Sequence, residues 1–141
     1  MRNKSRIIAA LVCVCALLAA APAVAQTRWF AAQLSGDNAV GSPGDADGWG
    51  AGVVGLGDGV VWYHLWVTDI AEPTAAHIHT GVAGASGGIA IDFAATFTEV
   101  DSDTYVATGS VAADSATIAN VLDAPAAFYF NVHNSDHPGG A

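Results

Sequence analysis

The short segment Gly57-Asp58-Gly59 separates two runs that both have the composition of β-strands. The run that follows it, residues 60–68, is rich in β-branched and aromatic residues, which favour extended backbone. Successive side chains of a strand point to opposite faces, so this run predicts one face with Trp62, His64 and Trp66 and another with Tyr63, Leu65 and Val67. A Gly-Asp-Gly connection is typical of a tight β-hairpin. We therefore expect an antiparallel sheet at the centre of the fold.

The rest of the chain beyond residue 25 repeats this pattern, with Gly, Pro and Asp between short apolar runs. Further strands are predicted at residues 28–34, 49–56, 75–80, 89–93, 105–111 and 128–133. Asp114-Ser115 predicts the N-cap of one short helix over residues 116–122. Short strands about ten residues apart predict an all-β fold: an antiparallel β-sandwich, immunoglobulin-like or superoxide-dismutase-like, with one short helix.

The N-terminal segment has the features of a secretory signal. Three of the four basic residues lie within residues 2–6, an uncharged apolar run follows over residues 7–21, and Ala23-Val24-Ala25 is a small-residue cleavage pattern. Cys13 and Cys15 fall in the apolar run, and neither follows the small residue that a lipoprotein anchor needs. The pattern predicts a signal peptide over residues 1–25, a domain over residues 26–141, no membrane span after cleavage, and a secreted or periplasmic location.

The composition beyond residue 25 excludes several classes of function. All 13 acidic residues lie there with a single cation, Arg28, which excludes a nucleic-acid groove. No cysteine remains, so thiolate zinc sites, iron–sulfur clusters and blue-copper centres are excluded. Neither a nucleophilic triad nor a catalytic carboxylate pair is recognisable, and no motif for a nucleotide or organic cofactor is present. We expect an acidic protein that is not an enzyme.

The histidines are the candidate functional residues. His77-Ile78-His79 on a strand would send both imidazoles to the same face, where they can share one ion. His133 lies in a second apolar strand, and His137 follows it by four residues. Imidazoles without sulfur suit copper(II) or zinc, so these four residues are the predicted metal ligands. The alternative is that His77 and His79 are only hydrogen-bonded residues at a strand end.

His64 is treated differently from the other histidines. It lies between Trp62 and Trp66 on one strand face, and we expect it to be structural rather than a ligand.

Three segments carry a resemblance to a known family. They are residues 30–40 (FAAQLSGDNAV), residues 75–81 (AAHIHTG), and residues 130–134 (FNVHN) followed by Pro138-Gly139-Gly140. In this order, with a short helix before the last segment, they resemble the CHRD domain, a module named for its occurrence in chordin and common in secreted bacterial proteins. The resemblance runs from about Trp29 to the end of the chain. It implies an all-β sandwich that serves as an extracytoplasmic binding or structural module.

The chain departs from the family pattern in two places. Members of the family usually continue past Pro-Gly-Gly into a closing strand, whereas this sequence ends at Ala141. We expect either an open sheet edge that a protein partner or a second copy fills, or a truncated gene model. The second departure is His137, where the family more often has a small or polar residue.

Three functions follow from these observations. The first is a secreted protein that binds copper or zinc through the histidines. The second is a metal-independent adhesion, matrix or protein-interaction module that uses the sheet edge and exposed aromatic residues such as Trp29, Trp49 and Trp62. The third is an oxidoreductase by analogy with copper–zinc superoxide dismutase. It is disfavoured because so acidic a chain would repel the superoxide anion.

Overall fold

The computed structural model describes residues 26–41, 43–82 and 84–141. The predicted signal peptide, with Cys13 and Cys15, lies outside the described residues. The described part of the chain forms eight strands and one α-helix: β1 (Arg28–Ser35), β2 (Trp49–Gly57), β3 (Val60–Thr68), β4 (Pro73–Thr80), β5 (Ile89–Asp92), β6 (Thr98–Asp101), β7 (Thr104–Ala112), α1 (Ser115–Asp123) and β8 (Phe128–Asn134). Two short 3-10 turns, Gly36–Asn38 and Pro125–Ala127, lie between these elements.

The strands form two antiparallel sheets. Five strands lie in the order β1-β2-β3-β7-β6, and three lie in the order β5-β4-β8. The predicted class, a sandwich-like, mostly β fold with antiparallel sheets and one short helix, is confirmed.

The predicted hairpin joins β2 and β3. Gly57 is paired with Val60, and the two turn residues, Asp58 and Gly59, both have positive φ values, 49° and 73°. Two central residues with positive φ make a turn whose twist matches that of the flanking strands, and Asp and Gly are residues that accept this conformation. The turn therefore fixes the register of the two central strands.

The core lies between the two sheets. Leu56, Val61 and Leu65 are buried from the larger sheet, and Ile78 and Val132 are buried from the smaller one. The prediction for β3 is confirmed, because Tyr63, Leu65 and Val67 are buried whereas Trp62 and His64 are exposed.

Helix α1 covers one end of this core. Ile118 and Val121 are its buried residues. Asp114 is the N-cap, as predicted, and its carboxylate accepts a hydrogen bond of 2.9 Å from the backbone N–H of Thr117.

Strand β6 is an element that the sequence analysis did not predict. All four of its residues, Thr98–Asp101, are exposed at the edge of the larger sheet. A strand with no buried face lacks the alternation of apolar and polar residues that reveals the other strands.

None of the helices formed by the described residues is long and apolar enough to span a membrane.

Candidate metal centre

Three of the predicted ligands lie together on the outer face of the smaller sheet. Ala76 and Ile78 of β4 point into the core, so His77 and His79 point away from it. His133 lies on the neighbouring strand β8, where it is diagonal to His77. The ring centroids are 4.9 Å apart for His77 and His133, 5.4 Å for His77 and His79, and 5.6 Å for His79 and His133.

These histidines are buried although they point away from the core. His77 and His79 are each 8% exposed, and His133 is half-buried. Two segments lie against this outer face, one between β4 and β5 and one after β8. The backbone N–H of Gly87 donates to the hydroxyl of Tyr129 over 3.2 Å, and the amide of Asn131 donates to the carbonyl of Gly139 over 2.9 Å.

Hydrogen bonds to these two segments fix the orientation of two imidazoles. Nδ1 of His79 lies 2.9 Å from the carbonyl oxygen of Gly87, and Nδ1 of His133 lies 2.9 Å from that of Pro138. A carbonyl oxygen only accepts, so Nδ1 carries the proton in both rings. With the proton on Nδ1, Nε2 is the nitrogen that can present a lone pair. Both Nε2 atoms are buried and have no hydrogen-bond partner among the described residues.

His77 offers its other nitrogen. Its Nε2 lies 3.6 Å from Oδ1 of Asp92, the residue paired with it on β5. Its Nδ1 is buried without a hydrogen-bond partner in the part of the chain that the structure describes. The carboxylate favours the proton on Nε2, which leaves the lone pair on Nδ1.

The ring nitrogens without hydrogen-bond partners among the described residues, Nδ1 of His77 and Nε2 of His79 and His133, are the candidate donors for one transition-metal ion. One ligand nitrogen from each ring lies within 4.8 Å of the others. Zinc binds imidazole nitrogen at about 2.0–2.1 Å, so two donors on one ion lie at most ~4.2 Å apart. Rings at the upper end of the observed separation would have to move inward to share one ion. A donor set of neutral imidazoles suits copper(II) or zinc.

Burial keeps two of these rings neutral. It lowers the pKa of His77 below the ordinary value, and the neighbouring His133 adds to this effect while the Asp92 carboxylate opposes it. Burial also lowers the pKa of His133, against the opposing effect of its hydrogen bond to the carbonyl of Pro138. A neutral imidazole is the form that binds a metal ion.

The fourth predicted ligand, His137, lies outside this cluster of three. Its backbone N–H donates to Oδ1 of Asn134 over 2.7 Å, and its Nδ1 donates to the carbonyl of Pro43 over 3.0 Å. The turn after β8 thus directs the ring of His137 toward the loop before β2. His64 is on the other sheet, where its Nδ1 lies 2.7 Å from Oγ1 of Thr108.

The sequence analysis missed the groups that orient the histidines: the Asp92 carboxylate and the carbonyls of Gly87 and Pro138. Asp92 meets His77 because of the β4–β5 register, which shifts at a bulge between Ile78 and His79 and cannot be read from the sequence. For Gly87 the sequence does contain a signal, which is the glycine itself. A Cβ atom at this position would lie 1.5 Å from the carbonyl oxygen of Thr80, so only glycine fits.

The fold and the cluster define a class of protein: a two-sheet antiparallel β domain with three histidines on the outer face of its smaller sheet. The CHRD domain family matches residues 30–141, which is most of the chain, and the chain therefore belongs to the CHRD domain family. This confirms the resemblance seen in the sequence. No curated protein and no solved structure matches the chain.

Proposed function

We propose that this CHRD domain protein is a secreted or periplasmic, non-catalytic metal-binding protein that holds one copper or zinc ion through His77, His79 and His133. The observation that carries the proposal is a set of three buried imidazole nitrogens without hydrogen-bond partners among the described residues, on three rings that each bring one ligand nitrogen within 4.8 Å of the others.

Energetics favour a metal over the alternative of purely structural histidines. A buried acceptor that is left unsatisfied costs about 1–3 kcal/mol. Hydrogen bonding accounts for only one nitrogen of His79 and one of His133. A single cation would satisfy all three remaining nitrogens at once. Two nitrogens that both present lone pairs cannot satisfy each other, because neither has a proton to donate.

The groups around the cluster support metal binding. Metal-bound histidines usually donate their second N–H to a carboxylate or a carbonyl, which fixes the ring and raises its basicity. The carbonyls of Gly87 and Pro138 do this for His79 and His133, and Asp92 is placed to do it for His77. The net negative charge of the chain favours the approach of a cation.

The test is the metal content of the protein. The full chain is purified without a polyhistidine tag, exposed to equimolar copper(II) and zinc, desalted and assayed for bound metal. We expect about one ion per chain. His79→Ala should lose this ion, whereas His64→Ala, which changes a histidine on the other sheet, should keep it. The proposal is overturned if the unmodified protein retains no metal, or if His79→Ala retains as much as the control.

A second candidate function is a metal-independent protein-interaction module. Strands β1 and β8 are edge strands of their sheets, and a cleft of about 700 Å³ lies between residues 32–35 and 128–132. An open sheet edge can pair with a strand of a partner or of a second copy. This candidate predicts that the metal-free protein self-associates in sedimentation equilibrium. If the metal-free protein stays monomeric at every concentration, this prediction of the second candidate is wrong.

A further inference from the structure

The outer face of the larger sheet carries all four tryptophans of the chain. Trp29 on β1, Trp49 on β2 and Trp62 on β3 are 62%, 53% and 36% exposed, and Trp66 on β3 is half-buried. Large apolar residues gathered on an exposed surface mark a binding site more often than isolated ones do. The histidine cluster lies on the other, smaller sheet.

We define the aromatic face as the outward-pointing residues of β1, β2 and β3, which carry the tryptophans, and of β7, which pairs with β3. They are Trp29, Ala31, Gln33 and Ser35 on β1; Trp49, Ala51, Val53, Gly55 and Gly57 on β2; Val60, Trp62, His64, Trp66 and Thr68 on β3; and Thr104, Val106, Thr108, Ser110 and Ala112 on β7. None of them is Asp, Glu, Lys or Arg, although the chain has 13 acidic residues. The face itself therefore has no carboxylate and no Lys or Arg on a strongly acidic protein, and Asp101 of β6, which pairs with Thr104, lies at its border.

The indoles form two groups on this face. Trp29 and Trp62 lie in one row across the sheet, because both are paired with Gly55 of the strand between them. Trp49 and Trp66 form the other group and meet edge to face, with ring centroids 4.8 Å apart. Trp62 and Trp66 are four positions apart on β3, which is about 14 Å at roughly 3.4 Å per residue.

Gly55 shapes the first group into a platform. A Cβ atom at Gly55 would lie 2.9 Å from ring atoms of Trp29, so the indole packs directly on the backbone of β2. The ring lies against the sheet and remains 62% exposed. A side chain at this position would lift the indole away from the sheet.

The chemistry of the face selects its ligand. A pyranose ring with equatorial hydroxyls has flat C–H faces, which pack on the electron-rich face of an indole. Gln33, Thr108 and Ser110 lie between and beside the indoles and supply hydrogen-bonding groups for sugar hydroxyls. An anionic polymer would be repelled by the acidic chain. A second copy fits less well, because the face has no Leu, Ile, Phe or Met, and permanent dimer interfaces resemble an apolar core.

We propose that the aromatic face binds a flat, uncharged β-linked polysaccharide of the cellulose or chitin type. Trp29 and Trp62 would stack on one part of a polysaccharide chain, and Trp49 and Trp66 would stack on other sugar units of the same polysaccharide chain. This binding is independent of the metal site.

The test is binding of the full-chain protein to insoluble cellulose and chitin, and titration with cellohexaose and chitohexaose followed by tryptophan fluorescence. We expect depletion from solution by at least one of the two solids. The double variant Trp29→Ala/Trp62→Ala should bind about tenfold more weakly or worse, by analogy with the loss of one stacked base. The variant Trp29→Phe/Trp62→Phe keeps both rings and should retain most of the affinity.

Two controls separate this proposal from the others. Val82→Ala removes an exposed apolar residue outside the aromatic face and should bind as the unmodified protein does. His79→Ala should lose metal and keep polysaccharide binding. The proposal is overturned if the folded protein binds neither polysaccharide, or if the Ala double variant binds undiminished. It is equally overturned if sedimentation shows a dimer that the double variant dissociates, since the face is then an interface between copies.

Discussion

Nδ1 of His133 donates a hydrogen bond of 2.9 Å to the carbonyl oxygen of Pro138, five residues further along the chain. The bond links the histidine of β8 to the segment Pro138-Gly139-Gly140. The segment folds back over the strand, with Gly139 accepting from Asn131 and the N–H of Ala141 donating to the carbonyl of Val132. The ring of His133 is thereby held beside the other two histidines, with centroids 4.9 and 5.6 Å away, and its Nε2 is buried without a hydrogen-bond partner among the described residues.

Replacing Gly140 should therefore weaken metal binding without removing a ligand. Gly140 has a φ of 144°, and a Cβ atom there would lie 2.6 Å from Oδ1 of Asn131. Gly140→Ala should displace the segment that orients His133, and loss of such an orienting group typically costs about 10–100-fold in metal affinity. Zinc affinity by isothermal titration calorimetry checks this.

The matched control for that variant is Gly41→Ala. Gly41 also has a positive φ, 86°, but its Cβ position is open. Equal zinc affinities in the two variants would show that the Pro-Gly-Gly segment does not position His133.

Asp92→Asn tests the role assigned to the carboxylate beside His77. The neutral amide should orient His77 less well and lower zinc affinity by about tenfold. The stability of the metal-free protein should hardly change, because the Asp92 side chain is 62% exposed. The measurements are a zinc titration and chemical denaturation in chelator. Asp37→Asn, at another exposed carboxylate, is the control, and an equal loss of affinity there would point to net charge as the cause.

Metal affinity should fall on acidification, because protons compete with the ion for neutral imidazole. Burial lowers the pKa of His77 and of His133 below the ordinary 6.5. The affinity should thus be nearly constant above pH 6.5 and decline as the pH falls below it. Zinc titrations at a series of pH values from about 7.5 downward, as far as the protein stays folded, follow this decline. An affinity that does not depend on pH would exclude histidine ligands.

The metal-free protein should show a parallel change in stability. Where the folded pKa of a histidine is lower than the unfolded one, the unfolded chain binds more protons, so the free energy of unfolding rises with pH. The stabilisation is complete above pH 6.5 and is lost as the pH falls toward the lowered pKa values of His77 and His133. Denaturation curves in chelator across this range test it, and His77→Gln should flatten the dependence.

The N-cap of α1 should contribute measurably to stability. Asp114→Ala removes the acceptor for the N–H of Thr117 and should lower the free energy of unfolding by about 1 kcal/mol. Asp123→Ala, at the last residue of the helix, is the control and should not destabilise the protein, because a negative charge is unfavourable there. Urea denaturation compares the two.

The sequence predicts those parts of the fold and site that depend on local periodicity. The two faces of β3 and the shared face of His77 and His79 follow directly from strand alternation. The meeting of these histidines with His133 depends on the pairing of β4 with β8. Three strands, the α-helix and a 3-10 turn separate these strands in the chain order, and no local pattern reports their register.

His137 shows the limit of reasoning from proximity in sequence. It follows His133 closely, but the side chain of Asn134 accepts hydrogen bonds from the N–H groups of Asp136 and His137 and turns the chain. The ring then bonds to the carbonyl of Pro43, more than ninety residues away in sequence. The buried side-chain amide of Asn134 sets this turn. The sequence pattern does not show in which direction the turn sends the chain.

On β4 the residues of the core, Ala76 and Ile78, alternate with the donors His77 and His79. A slip of β4 by one residue against β8 would turn both imidazoles into the apolar interior and both core residues outward. The donor set therefore exists only when these strands are aligned as in the native fold. Under the proposed function, the fraction of chains that take up metal in a preparation of this protein would count the molecules whose smaller sheet has paired correctly.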